Sequence, residues 1–546
     1  MEGKYRVMKI NSLAKLGGVA LVSALILAGC GSKSSQGTKK QEISWMTPSA
    51  IQTMDTSKMI DLYSAQVANG TNEGLLRMAK NNKVDPGVAK SYSVSKDGKT
   101  WTFNLRHSKW NDGTPVTAKD FVFSWQRTVK PKTASQYAYI FANVKNAEKI
   151  NAGKMSPSKL GVKADGDYKF VVTLDKPQSY FKFMVTQPEF FPQNSKVVNK
   201  YGNNYGTDST KNSYNGPFIL KGWSGTNDTW KLVKNTKYWD AKKVKLQQVN
   251  YQAVKTPSTA LSSYQSNKLD YTTLSGTLAA NNKNNKAYTV FPQASTTYME
   301  FNTKKIPALR NVNIRKAMAL AIDKKQMVNK VMQGGDITPK GFVPASMAKH
   351  NGKDFAAQAY VKSGTDYNLQ ELKTLFAKGM KQVGKKSLSL TLMGADDDDT
   401  KRATEFVQSQ LTKLPGLKIT NSNIPFKSKL TKMENQQFDI GLSAWIADYP
   451  DPSNFLDLMT SDNSYHDGKW SNKEYDALVK KSEDQDANNE TARWNDMVQA
   501  EKILMNQQGV VPLYQQGQAA LVRPSVKGVQ AFTTSPQYDF AKAYVK

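Results

Sequence analysis

Cysteine occurs once, histidine three times and arginine only nine times in 546 residues. A single thiol excludes a disulfide framework and a cysteine-based zinc site. His107, His350 and His466 lie too far apart for any metal-ligand spacing, which weighs against a histidine-centred active site. A Gly-x-Ser-x-Gly elbow is missing too, so hydrolysis has no motif to rest on. The scarcity of Arg, whose planar fork reads bases and phosphates, and the absence of any block of basic residues argue against nucleic acid as a partner. Beyond the N-terminus no stretch is apolar enough to span a membrane.

What is present describes a folded, basic body. Lys and Arg number 76 against 45 Asp and Glu, a formal net charge of +31. Most of that charge is lysine spread along the chain, which suits a soluble surface living beside an anionic membrane or wall. Apolar residues make up 39% and aromatics 10%, which excludes a disordered chain, and the length predicts about three structural units.

The N-terminus gives that body an address. Lys4, Arg6, Lys9 and Lys15 precede an apolar run from Val19 to Ile26 that ends in Leu27-Ala28-Gly29-Cys30, with Met8 as a second candidate start. These are signal-peptide proportions, too short for a spanning helix. Leu-Ala-Gly-Cys resembles the bacterial lipobox, in which the cysteine receives a diacylglyceryl group and becomes the first mature residue. Cys30, the single thiol, stands where that chemistry requires it. Residues 1–29 are therefore expected to be a lipoprotein signal peptide and 30–41 a flexible Ser/Gly/Lys tether.

Local patterns in the body are mixed. Trp101, Phe103 and Leu105 alternate with polar residues, as do Tyr168, Phe170, Val172 and Leu174, then Leu388, Leu390 and Leu392, and each reads as a half-buried strand. Thr117 and Asp120 form a capping box ahead of Phe121, Trp125 and Val129, which repeat every four residues as a helix does. Residues 311–331 and 369–383 read as two further helices, the second capped by Asn368. Interleaved strands and helices favour an α/β fold. The run Asp396 to Asp399 lacks EF-hand spacing and reads as a solvated loop rather than a calcium site.

The segment 85–127 resembles the signature region of the extracytoplasmic solute-binding proteins that serve peptide and nickel ABC transporters. Asp97-Gly98, Trp101 to Arg106, Trp110 to Ala118 and Asp120 carry that resemblance. Thr71 to Leu75, Asn215 to Phe218, Tyr238-Trp239, Asn302, Arg315, Asp323, Ala447 to Tyr449 and Val511 to Tyr514 extend it over nearly the whole body, with the oligopeptide-binding branch matched best around 133–138 and 445–449.

The resemblance implies a two-lobed α/β fold of the periplasmic-binding-protein type in its large peptide-binding form, with three domains and a hinge. Lobe I would take 42–73, 197–297 and 516–546, with a small inserted domain at 74–196 packed on it, and lobe II 298–515. It further implies a monomer that captures oligopeptides in a closing cleft and hands them to an ABC permease, without cofactor, metal or catalysis. The expected place is the outer face of a single-membrane cell, anchored through Cys30; a periplasm is the alternative. Nickel chelates, haem, a sugar or a peptide pheromone stay open as other ligands.

Promiscuous peptide binding can use only what all peptides share, a backbone and an α-ammonium. The backbone is best met by strand addition, and the ammonium, once desolvated, needs a carboxylate. Phe438, Ile440, Leu442 and Ala444 alternate as a strand, and Trp445-Ile446-Ala447-Asp448 emerges from its end before Pro450 and Pro452. The resemblance makes Asp448 the partner of the ligand's amino terminus and places Trp445, Ile446 and Ala447 on its backbone. A plain turn cap at Asp448, or Asp451 three residues on, are the competing readings. By the same resemblance Tyr137, Phe426, Thr273 and Gln516 fall near the cleft. Basic residues that neutralise a short ligand's C-terminus in relatives correspond here to Met433, Leu442 and the Asp399-Thr400 region, so no cation is expected there, with Lys401 and Arg402 as the nearest substitutes. Longer peptides would then be accommodated.

Overall fold

Segments that alternate in sequence pair into two main sheets. The computed structural model describes residues 40–463 and 465–546, so the expected leader, Cys30 and the tether before Lys40 lie outside the described residues. Gln41 is already tied into the body: its side-chain amide donates to Val545 O at 2.9 Å, and its carbonyl accepts from Gln247 N at 2.7 Å. No helix among the described residues is long and apolar enough to cross a membrane.

The smaller sheet has four antiparallel strands, Ala89–Val94, Thr100–Leu105, Lys169–Thr173 and Val162–Ala164 in that order. Trp101, Phe103 and Leu105 turn inward. The helix Ala118–Val129 opens with the expected capping box and buries Phe121, Trp125 and Val129 in the same core; Thr117 N donates to Asp120 Oδ2 at 2.8 Å, and such a cap contributes about 1 kcal/mol. Trp125 is ringed edge-on by Phe141, Phe170 and Phe190 at centroid distances of 5.0–5.5 Å.

The larger sheet has ten strands, in the order Leu417–Ile424, Leu388–Ala395, Ile440–Ile446, Tyr288–Phe301, Val511–Val522, Tyr271–Thr273, Glu42–Thr47, Gln248–Ala253, Thr229–Lys234 and Phe218–Lys221. Tyr288–Phe301 and Val511–Val522 are antiparallel partners in two registers, 288–292 against 521–517 and 296–299 against 515–511. The ladder shifts just after Pro292, which has no N–H to contribute. Each half of this long pair belongs to a different core. One is built on Trp45, Trp230, Tyr251, Tyr271 and Phe540, with Trp45 stacked on Tyr271 at 3.9 Å. The other holds Met299, Leu320, Phe376, Leu390, Ile440 and Leu513.

Two expectations need correction. Residues 311–331 do not form one helix: Val312–Ala321 ends at Ile322, which is extended, and Asp323 caps a new short turn by accepting from Gln326 N. Lys324 supports the stop: its buried ammonium donates to Ala319 O in the last turn of the first helix and to Thr365 O of the short helix Lys362–Thr365. The aspartate run is a helix start rather than a loop; Asp397 caps Asp398–Leu411 by accepting from Thr400 N at 2.9 Å. The helix Leu369–Gln382 starts at Asn368 as expected.

Several residues that carry the resemblance serve the scaffold. Buried Glu73 accepts from Tyr238 Oη and Trp239 Nε1, each at 2.6 Å, and pairs with Arg77 at 3.2 Å. Arg77 reaches on to Asp539 at 2.6 Å, and the Asn215 side chain exchanges two hydrogen bonds with the Glu73 backbone. This knot ties the chain ahead of the small sheet to the connections flanking Phe218–Lys221 and Thr229–Lys234 of the large one and to the C-terminal segment.

Candidate functional site

An unpaired strand edge is a place where a protein can accept one more strand. Ile440–Ile446 pairs along its length with residues 301–295, but with Leu388–Ala395 only through Ile440 and Gly441. Beyond Gly441 the two parallel strands part, and the edge from Leu442 to Ile446 has no strand partner among the described residues. Ala447 N donates to Ala294 O at 2.8 Å and Asp439 O accepts from Asn302 N at 2.9 Å, so odd-numbered residues face Tyr288–Phe301. Because N–H and C=O of one residue share a side in an antiparallel ladder, Leu442, Ala444 and Ile446 turn both groups to the open edge. Of the three expected backbone contacts, Ile446 lies on that edge, while Trp445 and Ala447 face the neighbouring strand.

Asp448 follows at the strand end. Asn454 Oδ1 accepts from Trp445 Nε1 at 2.9 Å and from Asp448 N at 3.3 Å, fixing the turn from within. Gln187, just ahead of the short turn Pro188–Phe190, donates to Asp448 O at 3.2 Å and to Ser535 O at 3.1 Å. The Asp448 carboxylate has no ion pair among the described residues. Its side chain is exposed to solvent, and the protein packed beside it still raises its pKa by partial desolvation, with Asn454 pulling the other way. Tyr137 and Tyr139, their rings 5.6 Å apart, stand close enough for its charge to add to the effect of burial in raising both phenols.

Asp451 is occupied. Arg493 grips it with two bonds of 2.7 and 2.9 Å, and Ser453 N donates to it at 3.0 Å. Burial alone would raise this carboxyl; the guanidinium more than offsets that and holds it below the ordinary value. The turn-capping part therefore belongs to Asp451, and Asp448 is left without a cation among the described residues.

A cavity of about 430 Å³ opens along the free edge, with Leu442, Ser443 and Ala444 on one wall. Phe426 and Gln516 line it, as do Asp336, Asp397 and Asp399. Thr273 faces a neighbouring cavity of about 120 Å³ beside Trp45; Gln293 and Gln518 border both spaces. A larger space of about 670 Å³ lies against Pro450, Asp451 and Pro452, walled by His350, Arg493 and Trp494. It touches neither the free edge nor Asp448, and its acids are Asp451, already paired, and Glu490.

The expectation that no cation lies near the edge is overturned. Lys429 lines the 430 Å³ cavity, 4% exposed, and its ammonium donates to Ser443 Oγ at 3.3 Å. Burial lowers its pKa, while Glu300, Asp467 and Asp397 work against that shift. It sits one turn before Met433 on Phe426–Glu434, so helical spacing from the aligned position would have found it. Arg402 is tied to Asp399 instead. Glu189 and Tyr139 were also missed, lying in short turns without periodicity.

Three comparisons bear on this geometry. The model of the bacterial extracellular solute-binding proteins, family 5 middle region, matches residues 83–467. A dipeptide-binding protein of Lactococcus lactis subsp. cremoris is 39% identical over a 556-residue alignment spanning 99% of this chain and 100% of that one. Among solved structures, OppA of Listeria monocytogenes bound to peptide is 38% identical with a TM-score of 0.70, covering 93% of this chain and 100% of that one. The periplasmic murein tripeptide-binding protein MppA in its unliganded open form is 30% identical, yet superposes with a TM-score of 0.82 over 93% of this chain and 98% of that one.

Proposed function

The chain belongs to the bacterial extracellular solute-binding proteins of family 5, and from that premise we propose that it captures oligopeptides and delivers them to an ABC permease. One observation carries the reading: an unpaired strand edge, Leu442 to Ile446, runs straight into a carboxylate that has no cation. A peptide laid antiparallel on that edge brings its α-ammonium to Asp448. Tyr137 borders the ammonium subsite, and Phe426, Gln516 and Thr273 border the space for side chains. The higher TM-score against an open, unliganded relative supports an open cleft here. Closure would bring lobe II (298–515) against lobe I and its inserted domain, with the register shift in the long strand pair as the place where the chain bends. No step in this cycle alters the ligand.

Lys429 gives the far end of the ligand a partner. From Ser443, which Lys429 touches, to Asp448 the strand runs about 16 Å at ~3.3 Å per residue, the span of an extended peptide of about five residues. Native mass spectrometry of protein purified from rich medium should therefore show co-purified peptides clustered near that length. A haem, a nickel chelate or a sugar in their place would overturn the reading.

The body is held at the outer face of the cell membrane by a diacylglyceryl group on Cys30, after removal of the leader. Two or three acyl chains suffice for stable anchoring at about 0.8 kcal/mol per buried CH₂. Cys30→Ala should move the protein from the membrane pellet to the soluble fraction; retention in the pellet would refute the anchor.

A further inference from the structure

A second carboxyl group stands beside the amino-terminal subsite. Glu189 lies in the short turn Pro188–Phe190 and is 6% exposed. No side chain donates to its carboxyl and no cation pairs with it among the described residues; its own backbone N–H is the donor near it. Two residues before it, Gln187 is hydrogen-bonded to Asp448 O, which sets this turn against the strand end. Tyr137 and Tyr139 lie near enough to both carboxyls for their charges to add to burial in raising both phenols, and Tyr465 adds to the shift of Tyr139. Behind the turn, the helix Ala118–Val129 holds it through Trp125 Nε1 to Phe190 O at 2.9 Å, and that helix's Arg127 is committed to Asp55 at 2.6 Å. Asp448 is thus the charged group that Glu189 meets. Burial pushes the Glu189 carboxyl up to about 8, its own N–H opposing and the Asp448 charge adding to the shift.

A buried carboxyl without a partner is costly, and one that persists at a binding site marks a place for a ligand group. Two acids supplied by different segments, with no cation between them, fit a single ammonium. Resting on the reading of Asp448 given above, we propose that Glu189 is the second carboxylate of this subsite, with the ligand's α-ammonium lying between it and Asp448. Buried beside the Asp448 charge, Glu189 is neutral in the empty cleft and ionises when the ammonium arrives. The displaced proton passes to bulk water, so each capture releases a proton. The bound state then holds fewer protons than the free one, and affinity rises with pH, by up to about tenfold per unit, below the range where Glu189 ionises unaided. Above about pH 8 the ligand's own amino group discharges and affinity falls.

Calorimetry of the mature protein with pentaalanine at pH 6.5, in two buffers of different ionisation heat, tests this. The wild type should release about 0.5 to 1 proton per peptide. Glu189→Gln should bind within about tenfold of the wild type yet release less than about a quarter as much. Should Glu189→Gln not fold, N-acetyl-pentaalanine on the wild type serves as the control, and release should vanish with it. Binding without proton release overturns the proposal and leaves peptide capture intact, as does release that survives Glu189→Gln or acetylation. Release lost only in Asp448→Asn would assign the proton to Asp448 and overturn it equally. Absence of any pentaalanine binding would bring down the peptide reading itself.

Discussion

Asp448→Asn is expected to weaken binding of peptides with a free amino terminus by about 1.5 to 3 kcal/mol, the value of a hydrogen bond to a charged group. The substitution keeps the shape of the side chain and leaves the backbone carbonyl that Gln187 holds, so the turn should survive it. What it removes is the one carboxylate at the strand end that lacks a cation, since Asp451 is already paired with Arg493. N-acetylated peptides have no charge to lose and should bind the variant about as well as they bind the wild type. Equal losses for acetylated and free-amine ligands, read by titration calorimetry, would show that Asp448 supports structure and not amino-terminal capture. Because partial desolvation raises its pKa, acid should weaken free-amine binding at a higher pH than the ordinary aspartate value of about 3.9 suggests.

Arg493→Met is expected to cost about 3 to 5 kcal/mol of stability, because it strands the buried Asp451 carboxylate without its partner. Asp451→Asn combined with Arg493→Met should recover much of that loss, since neither charge is then left alone. Denaturant midpoints of the single and double variants make the comparison, and a single variant as stable as the wild type would refute the pair's role. The pH dependence has a definite sign. Asp451 is held below its unfolded value of about 3.9, so its contribution is fully present above that pH and is lost as pH falls through the lower folded value. Arg493 also ties the turn to the long helix Glu490–Gln507, and Tyr449, one residue past Asp448, stacks at 4.5 Å on Tyr180, which precedes the short helix Phe181–Met184. The same turn therefore carries both the stabilising pair and the carboxylate proposed to bind the ligand.

The local elements were legible where period and caps agreed. Thr117 with Asp120, and Asn368, mark helices that start where the side chains say they should. The expected 311–331 helix failed because an apolar period runs through Ile322 while the break is supported by Lys324, whose ammonium finds a carbonyl at Thr365, 41 residues away. Lys429 escaped for a related reason. Position-by-position matching stops at Met433, which is buried, and the cation that reaches the cavity stands one helical turn earlier. Glu189 carries no pattern; only the Gln187 contact with Asp448 places its turn at the site.

The sequence by itself determined the composition-level exclusions, the alternation of strands and helices, the signature that marks the family and the placing of Asp448 at a strand end. The elements follow from short-range rules of periodicity, capping and proline geometry, and the role expected of Asp448 from the resemblance to a known family. Tertiary structure alone decided which carboxylate is free. Asp448 and Asp451 are three residues apart and chemically identical, and their roles diverge because Arg493, 42 positions further on, reaches one and not the other. It also decided that Ala444 and Ile446 face an open edge, since that depends on where the strand Leu388–Ala395 leaves its neighbour. Charge neutralisation and strand pairing are satisfied through space, by whichever distant segment the fold brings near.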